Sequence, residues 1–459
     1  MKRFIGTRGF YRHLMTVAIP IMIQTGITNF VSMLDNIMVG QVGTNQMSGV
    51  AIVNQLIFVF SLCIFGGISG AGIFTAQFYG QGNTEGVQYT FRFKLLIVTV
   101  LTATTIGIFL VFGPQLIQVY LHQGSSTTNA AATLIYAKQY LTIMYFDMIP
   151  FALAQAYAGT LRECGETITP MKAGIAAVLV NLCLNYILIY GKLGAPALGV
   201  RGAAIATVIS RFVELGIIVF WTHHHTQKAS FIIDVYRNFY IPSELMKRIT
   251  IKGFPLLLNE TLWASGQAYL LQNYSIRGLD VVAALNISGT ISQVFNVVFI
   301  ALGSAIAIIL GQELGAAKMD TIKQKSAQLI FFSVIACILS GALLLLIAPF
   351  FPRIYNTTAS IQHLATLFIV ISAFCMPMYS FENATYFTLR SGGKTGITFL
   401  FDSGFVWCAI IPVVFALTHF TSLSIISIYI ICQLTDIIKC TIGYLLVKKG
   451  VWINDLTVF

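Results

Sequence analysis

The sequence predicts an all-α integral membrane protein of about twelve transmembrane helices, built as two homologous six-helix bundles. Three observations predict this: a composition too poor in charge for water, apolar runs of membrane-spanning length, and markers that recur at a fixed offset. Of 459 residues, 57% are AVILMFWYC and only 9% are DEKR, with a mean hydropathy of +0.82. Soluble domains carry about 25% charged residues. A chain this poor in charge would leave too much apolar surface in water and must meet lipid.

The elements follow from the apolar runs, since crossing about 30 Å of hydrocarbon takes roughly 20 helical residues. Runs of that length lie near 14–39, 49–78, 95–120, 132–160, 170–191 and 198–222. A second set lies near 250–275, 281–311, 327–352, 361–389, 396–418 and 421–447. The chain thus divides into an N-terminal lobe (1–222), a linker (223–249) and a C-terminal lobe (250–459). The linker is the most polar connection and is read as solvated. Its His223-His224-His225 triplet has no Cys or carboxylate beside it, so it is not read as a metal site. No small-residue cleavage site follows the first run at signal-peptide distance, so Leu14 to Val39 is read as a retained first span.

The net charge of +11 could suggest nucleic acid, but its distribution does not. Twenty Lys and Arg residues fall at the two termini and in alternate connections, among them Arg8, Arg92, Lys94, Arg162, Lys228, Arg390 and Lys448. The other connections hold four: Lys192, Arg201, Arg277 and Arg353. This is the positive-inside asymmetry, and it predicts that both termini and the linker face the cytoplasm. The eight cysteines stand singly, with no CxxC, and are read as packing residues.

The halves repeat. Pro20 and Pro255, Gln77 and Gln312, and Gly80 and Gly315 are each 235 positions apart. Five of eight positions agree between Thr160–Thr167 and Thr388–Thr395, at an offset of 228. Such recurrence marks an internal duplication. Six spans per half is an even number, so both halves enter the membrane from the same side, as parallel repeats with a cleft between them. Pro20 and Pro255 each remove one backbone hydrogen bond from an otherwise clean helix, and so predict a kink or hinge in spans one and seven.

Charges near a helix centre cost roughly 2.5–3.5 kcal/mol on insertion scales, so each one calls for an explanation. Arg211 with Glu214, and Asp436 with Lys439, stand one helical turn apart and can neutralise each other. Asp35, Asp147, Glu260, Glu382 and Asp402 have no such neighbour. An unpaired buried carboxylate either takes up a proton or binds a cation. Asn181 and Asn185 are four residues apart and share one face of span five. With Asp35 they would form an oxygen-rich site for H⁺ or Na⁺, or else a plain interhelical contact.

These residues resemble a known family along nearly the whole chain. Met33-Leu34-Asp35-Asn36-Ile37-Met38-Val39-Gly40 resembles the first signature of the multidrug and toxic compound extrusion (MATE) antiporters. Leu161–Thr167 followed by Pro170-Met171, and Val180–Tyr186 closed by Gly191, are similar to later ones. Arg390–Thr395 with Asp402, Trp407 and Pro412 resembles bacterial members. The resemblance implies a V-shaped pair of bundles and efflux of organic cations against inward H⁺ or Na⁺. It places Asp35, Asn181 and Asn185 at an N-lobe cation site, where their oxygens could ligate Na⁺, and Glu260 at an acidic position of span seven. Glu382 stands one turn beyond the usual span-ten acid, near Tyr379, and Asn185 stands where some relatives have Asp. Those departures leave the coupling lobe and the ion open. Glu260, Glu382 and Asp402 are the candidates for coupling or substrate contact in the C-lobe.

The expectation is therefore a multi-pass secondary antiporter of the bacterial cytoplasmic membrane. It would export small amphipathic, cationic compounds as a monomer, with no cofactor beyond its coupling ion. No P-loop is present to draw directly on ATP. A flippase for lipid-linked oligosaccharide is the alternative. It would line its cleft with arginines for phosphate, and Arg211 is the single candidate. An intramembrane enzyme lacks its constellation, and a channel lacks its charge rings.

Overall fold

The computed structural model describes residues 4–121 and 130–457. Lys2 and Arg3, and the side chains of Met33, Asn36 and Ile37 in the first signature, lie outside the described residues. Among the described residues the regular elements are all helical: α1 (Arg8–Gly40), α2 (Thr44–Gln81), α3 (Thr84–Leu121), α4 (Ala130–Glu163), α5 (Ile168–Tyr190) and α6 (Val200–His224). After the linker come α7 (Ser243–Ser275), α8 (Leu279–Gly315), α9 (Met319–Ile347) and α10 (Ala359–Ser391). One further span runs from α11 (Thr395–Phe399) to α12 (Ile411–Phe420), and α13 (Ile425–Lys449) closes the set.

Ten helices among the described residues are long and apolar enough to cross a membrane, with α11 to α12 counted as one. α4 and α7 match them in length but carry more charge, including Lys138, Asp147 and Arg162 in α4 and Lys247, Arg248, Lys252 and Glu260 in α7. Several helices run past the apolar stretches that mark them. Arg92, Lys94 and Arg162 therefore lie inside helices and not in connections, and Lys94 is fully buried. Burial is tolerable for Lys94 because its ammonium pairs with the Glu163 carboxylate and donates to Thr160 Oγ1 at 3.0 Å.

Two compact units divide the chain. The N-terminal unit comprises Ile23–Thr75 and Thr84–Lys247. The C-terminal unit comprises Arg248–Phe459 together with Met1–Met22 and Ala76–Asn83. Both short pieces are bound into it by packing. Leu14, Val17 and Ala18 share a buried cluster with Leu302, Ile306 and Trp452. Gln77 Nε2 donates to the carbonyls of Ser391 (3.0 Å) and Asn454 (3.2 Å), and its Oε1 accepts from the Leu456 amide (2.7 Å). The repeat markers meet reciprocally. A Cβ on Gly80 would strike the Gln312 carbonyl, and one on Gly315 would strike the Gln77 carbonyl. Glycine at both positions lets the two helix backbones touch.

In the C-terminal unit α10 packs against α8, α9 and α13. Two π-helical turns, Leu400–Gly404 and Val406–Ile410, interrupt the span from α11 to α12. Such turns insert a residue and rotate the rest of the helix about its axis, and they recur at functional sites. Asp402 lies in the first of them.

In the N-terminal unit α5 and α4 each pack on α6. The linker corrects an expectation here, because it folds down onto this unit. Ala229, Phe231, Ile232 and Val235 are buried, and Phe91 stacks edge-on against Phe231. The Arg92 guanidinium donates to the carbonyls of Val235 (2.8 Å) and Tyr240 (3.1 Å), and Gln88 donates to that of Ile233 (2.7 Å). A segment with four apolar side chains and free carbonyls next to a helix bearing Arg has more to gain by docking than by solvation. The His triplet closes α6, each Nδ1 lying against the carbonyl four residues back. Among the described residues no group of three or more His, Cys, Asp or Glu is placed to hold a metal ion.

Candidate functional site

Each unit holds buried polar residues in otherwise apolar helices. In the N-terminal unit Asp35 comes from α1, and Asn181 and Asn185 from one face of α5. The structure brings these three together. Asn185 Nδ2 donates to Asp35 Oδ1 at 2.7 Å and lies 3.0 Å from the Asn181 amide. The Asn181 amide also lies 3.0 and 3.1 Å from the two Asp35 oxygens. The amide nitrogen faces the carboxylate and donates to both of its oxygens, because an amide oxygen there would face only acceptors. Asn181 and Asn185 are 6% and 1% exposed, and Asn185 Oδ1 is buried without a hydrogen-bond donor. An acceptor left in that state is costly, and a bound cation would satisfy it.

Asp147 has a partner that sequence adjacency cannot reveal. Arg211, from α6, lies 3.8 Å from Asp147 Oδ1 and 2.8 Å from Glu214 Oε2. The expected Arg211–Glu214 pair is therefore present, and it is extended across helices to α4. Thr207 and Tyr140 complete the surroundings. The Thr207 hydroxyl lies 3.3 Å from the Asn181 amide, and the Tyr140 hydroxyl donates to Asn54 at 3.3 Å. The sequence marks neither, because Thr and Tyr are common in spans and nothing sets these two apart.

In the C-terminal unit the expected self-neutralising pair is replaced by another. Lys439 does not pair with Asp436 within 4 Å. Its ammonium sits 3.2 Å from Glu382 Oε2 and 3.1 Å from Asp402 Oδ1, and lies over the Phe401 ring. Two carboxylates and a ring, brought in by α10 and the π-helical turn, outweigh one carboxylate on the same helix. Glu382 and Asp402, read as unpaired from the sequence, thus share one cation. Asn259, unmarked by the sequence, donates to Asp402 Oδ2 at 3.0 Å, and its Oδ1 accepts from Ser403 Oγ at 2.7 Å. Glu260 is half-buried and within electrostatic reach of Arg390 and Asp402. Pro20 lies inside α1 and Pro255 inside α7.

Long apolar helices with charged groups held inside each unit define a multi-pass membrane protein. The comparisons give the family. The MatE model matches residues 20–187 and 261–416, and the chain belongs to that family. It is a transporter family, and the chain is a transporter and not an enzyme. The chain is 23% identical over 443 residues to a probable multidrug resistance protein NorM of Thermotoga maritima, covering 96% of this chain and 93% of the relative. To the probable multidrug resistance protein YoeA of Bacillus subtilis it is 25% identical over 434 residues, covering 92% and 89%. Two solved structures share its fold. One is an outward-facing multidrug resistance MATE family transporter of the MOP superfamily, with a TM-score of 0.85, 18% identity and 97% and 98% coverage. The other is a MATE protein in the bent conformation, with the same TM-score, identity and coverage.

Proposed function

We propose that this chain is a cation-coupled secondary antiporter that exports small amphipathic, cationic compounds, drugs among them, across a bacterial cytoplasmic membrane. The relatives' description as multidrug resistance proteins supports the substrate class. The observation that carries the coupling mechanism is the grip of Asn181 and Asn185 on Asp35. With the amide nitrogens inward the site stabilises anionic Asp35. Arrival of H⁺ or Na⁺ at Asp35 competes with those hydrogen bonds and breaks that arrangement. The local change then spreads along α1 through the flexible point at Pro20, with Pro255 as its counterpart in α7, and the two halves exchange states by rocking. Glu260 is the acidic group of the C-terminal half open to coupling or substrate contact. Glu382 and Asp402 can serve only by exchanging Lys439 for another cation. The division into lobes joined by 223–249, the cytoplasmic placement of both termini and a monomeric state belong to the same reading.

Inverted membrane vesicles containing the protein test it. Uptake of an organic cation such as ethidium is followed while a proton gradient and a Na⁺ gradient are imposed in turn. The proposal expects uptake with at least one gradient and none without. Uptake indifferent to both gradients overturns coupling.

A further inference from the structure

Lys439 is committed to Glu382 and Asp402, which leaves the carboxylate one turn away without its expected partner. Asp436 is 9% exposed, and among the described residues it makes no hydrogen bond and no ion pair within 4 Å. It stands near the middle of α13, and so near bilayer mid-depth, where transporter sites concentrate. Tyr429 stands on the same face of α13 two turns before it, Tyr274 of α7 packs on Tyr429, and Tyr379 of α10 bonds to Gln433, one turn before it.

Two of these hydroxyls are engaged elsewhere: that of Tyr379 donates to Gln433, and that of Tyr429 meets Ser372 Oγ at 3.3 Å. The rings pack on one another, Tyr429 lying 5.9 Å from Tyr274 and 4.8 Å from Phe368 between centroids. Asp436 is therefore a buried carboxylate without an ion-pair partner in an aromatic setting, one turn from a cation already held by two other carboxylates. A carboxylate buried in this way is held as an anion only when something positive joins it. Aromatic faces beside a carboxylate are the chemistry that holds an organic ammonium ion, its charge on the carboxylate and its apolar body on the rings.

We infer that Asp436, framed by Tyr274, Tyr379 and Tyr429, is an organic-cation subsite of the C-terminal unit, and that Lys439 keeps it open by neutralising Glu382 and Asp402. This inference rests on the transport reading above and gives it a residue. Lys439 acts as an internal counter-ion: it cancels the charge that would otherwise draw a cation to Glu382 and Asp402 instead.

Equilibrium binding of ethidium, a permanently charged aromatic cation, to the purified full-length chain in detergent tests the subsite. Fluorescence anisotropy is read for wild type, Asp436→Asn and Asp436→Glu, with a thermal melt of each. Asp436→Asn is expected to weaken binding about tenfold or more, the size of one lost charge contact, at an unchanged melting temperature. Asp436→Glu, which restores the charge, is expected to recover most of it. Wild-type affinity in Asp436→Asn overturns the subsite. So does equal weakening in both variants with a lowered melting temperature, which marks a structural carboxylate. Normal ethidium binding by Asp436→Asn with loss of gradient-driven uptake also overturns it, since Asp436 would then carry a coupling proton. If wild type binds no ethidium the subsite falls, and the vesicle assay judges the transport reading separately.

Discussion

At Lys439 a single ammonium holds two carboxylates from other elements, and the cost of removing it can be stated. Breaking a buried pair by taking one partner away costs about 3–5 kcal/mol, because the remaining charge is stranded. Lys439→Met should therefore lower the melting temperature of the purified protein markedly. Adding Asp402→Asn, which removes one stranded charge, should recover part of the loss. A Lys439→Met protein that melts as wild type would show that the contacts at 3.1 and 3.2 Å contribute nothing net. The same residue shows what sequence can and cannot reveal. Asn181 and Asn185 could be assigned to one face from their spacing alone, and the structure sets that face against Asp35. The partners of Lys439 could not. Adjacency in sequence offers Asp436, whereas the competing carboxylates come from residues 57 and 37 positions away. One of them is aimed by a π-helical turn that a 3.6-residue period does not reveal.

The linker and the α2–α8 contact belong to the scale of elements. Composition marks residues 223–249 as polar, and the charged and His residues there are real. The four apolar side chains that dock are too few and too irregularly spaced to announce themselves. Arg92→Ala removes the donors to Val235 and Tyr240, and should let trypsin cut at Lys228 or Arg237 faster than in wild type. Equal cleavage rates would mean that apolar docking alone holds the segment. At the helix contact, Gly315→Ala puts a Cβ onto the Gln77 backbone, and neither helix can yield without moving the other. Folded yield should drop sharply. Gly216→Ala, in α6, meets nothing within 4 Å and should raise helix stability by a few tenths to about 1 kcal/mol. If the two variants express alike, the reciprocal contact does not hold the two backbones together this closely.

At the scale of the whole molecule the fold class was the most legible feature, since charge scarcity and run length leave few alternatives. The duplication was legible too, because the reciprocal backbone contact leaves no room for a Cβ at Gly80 or Gly315, which stand at the constant spacing. Orientation in the membrane rests on twenty basic residues against four. Single cysteines at His225 or Asn238 in a cysteine-free background should resist impermeant thiol reagents applied to intact cells. Labelling from outside would reverse the proposed topology.

Gradient-driven transport by Asp35→Asn tests the proposed coupling most directly. Asn keeps the shape of Asp and can still bond to Asn185, but it cannot take up a proton or offer anionic charge to Na⁺. Removing a charge from a span eases insertion, so the variant should reach the membrane at wild-type level. In inverted vesicles matched for protein, ethidium uptake under the coupling gradient is expected to fall to background in Asp35→Asn. Uptake at the wild-type rate in that variant would contradict coupling through Asp35.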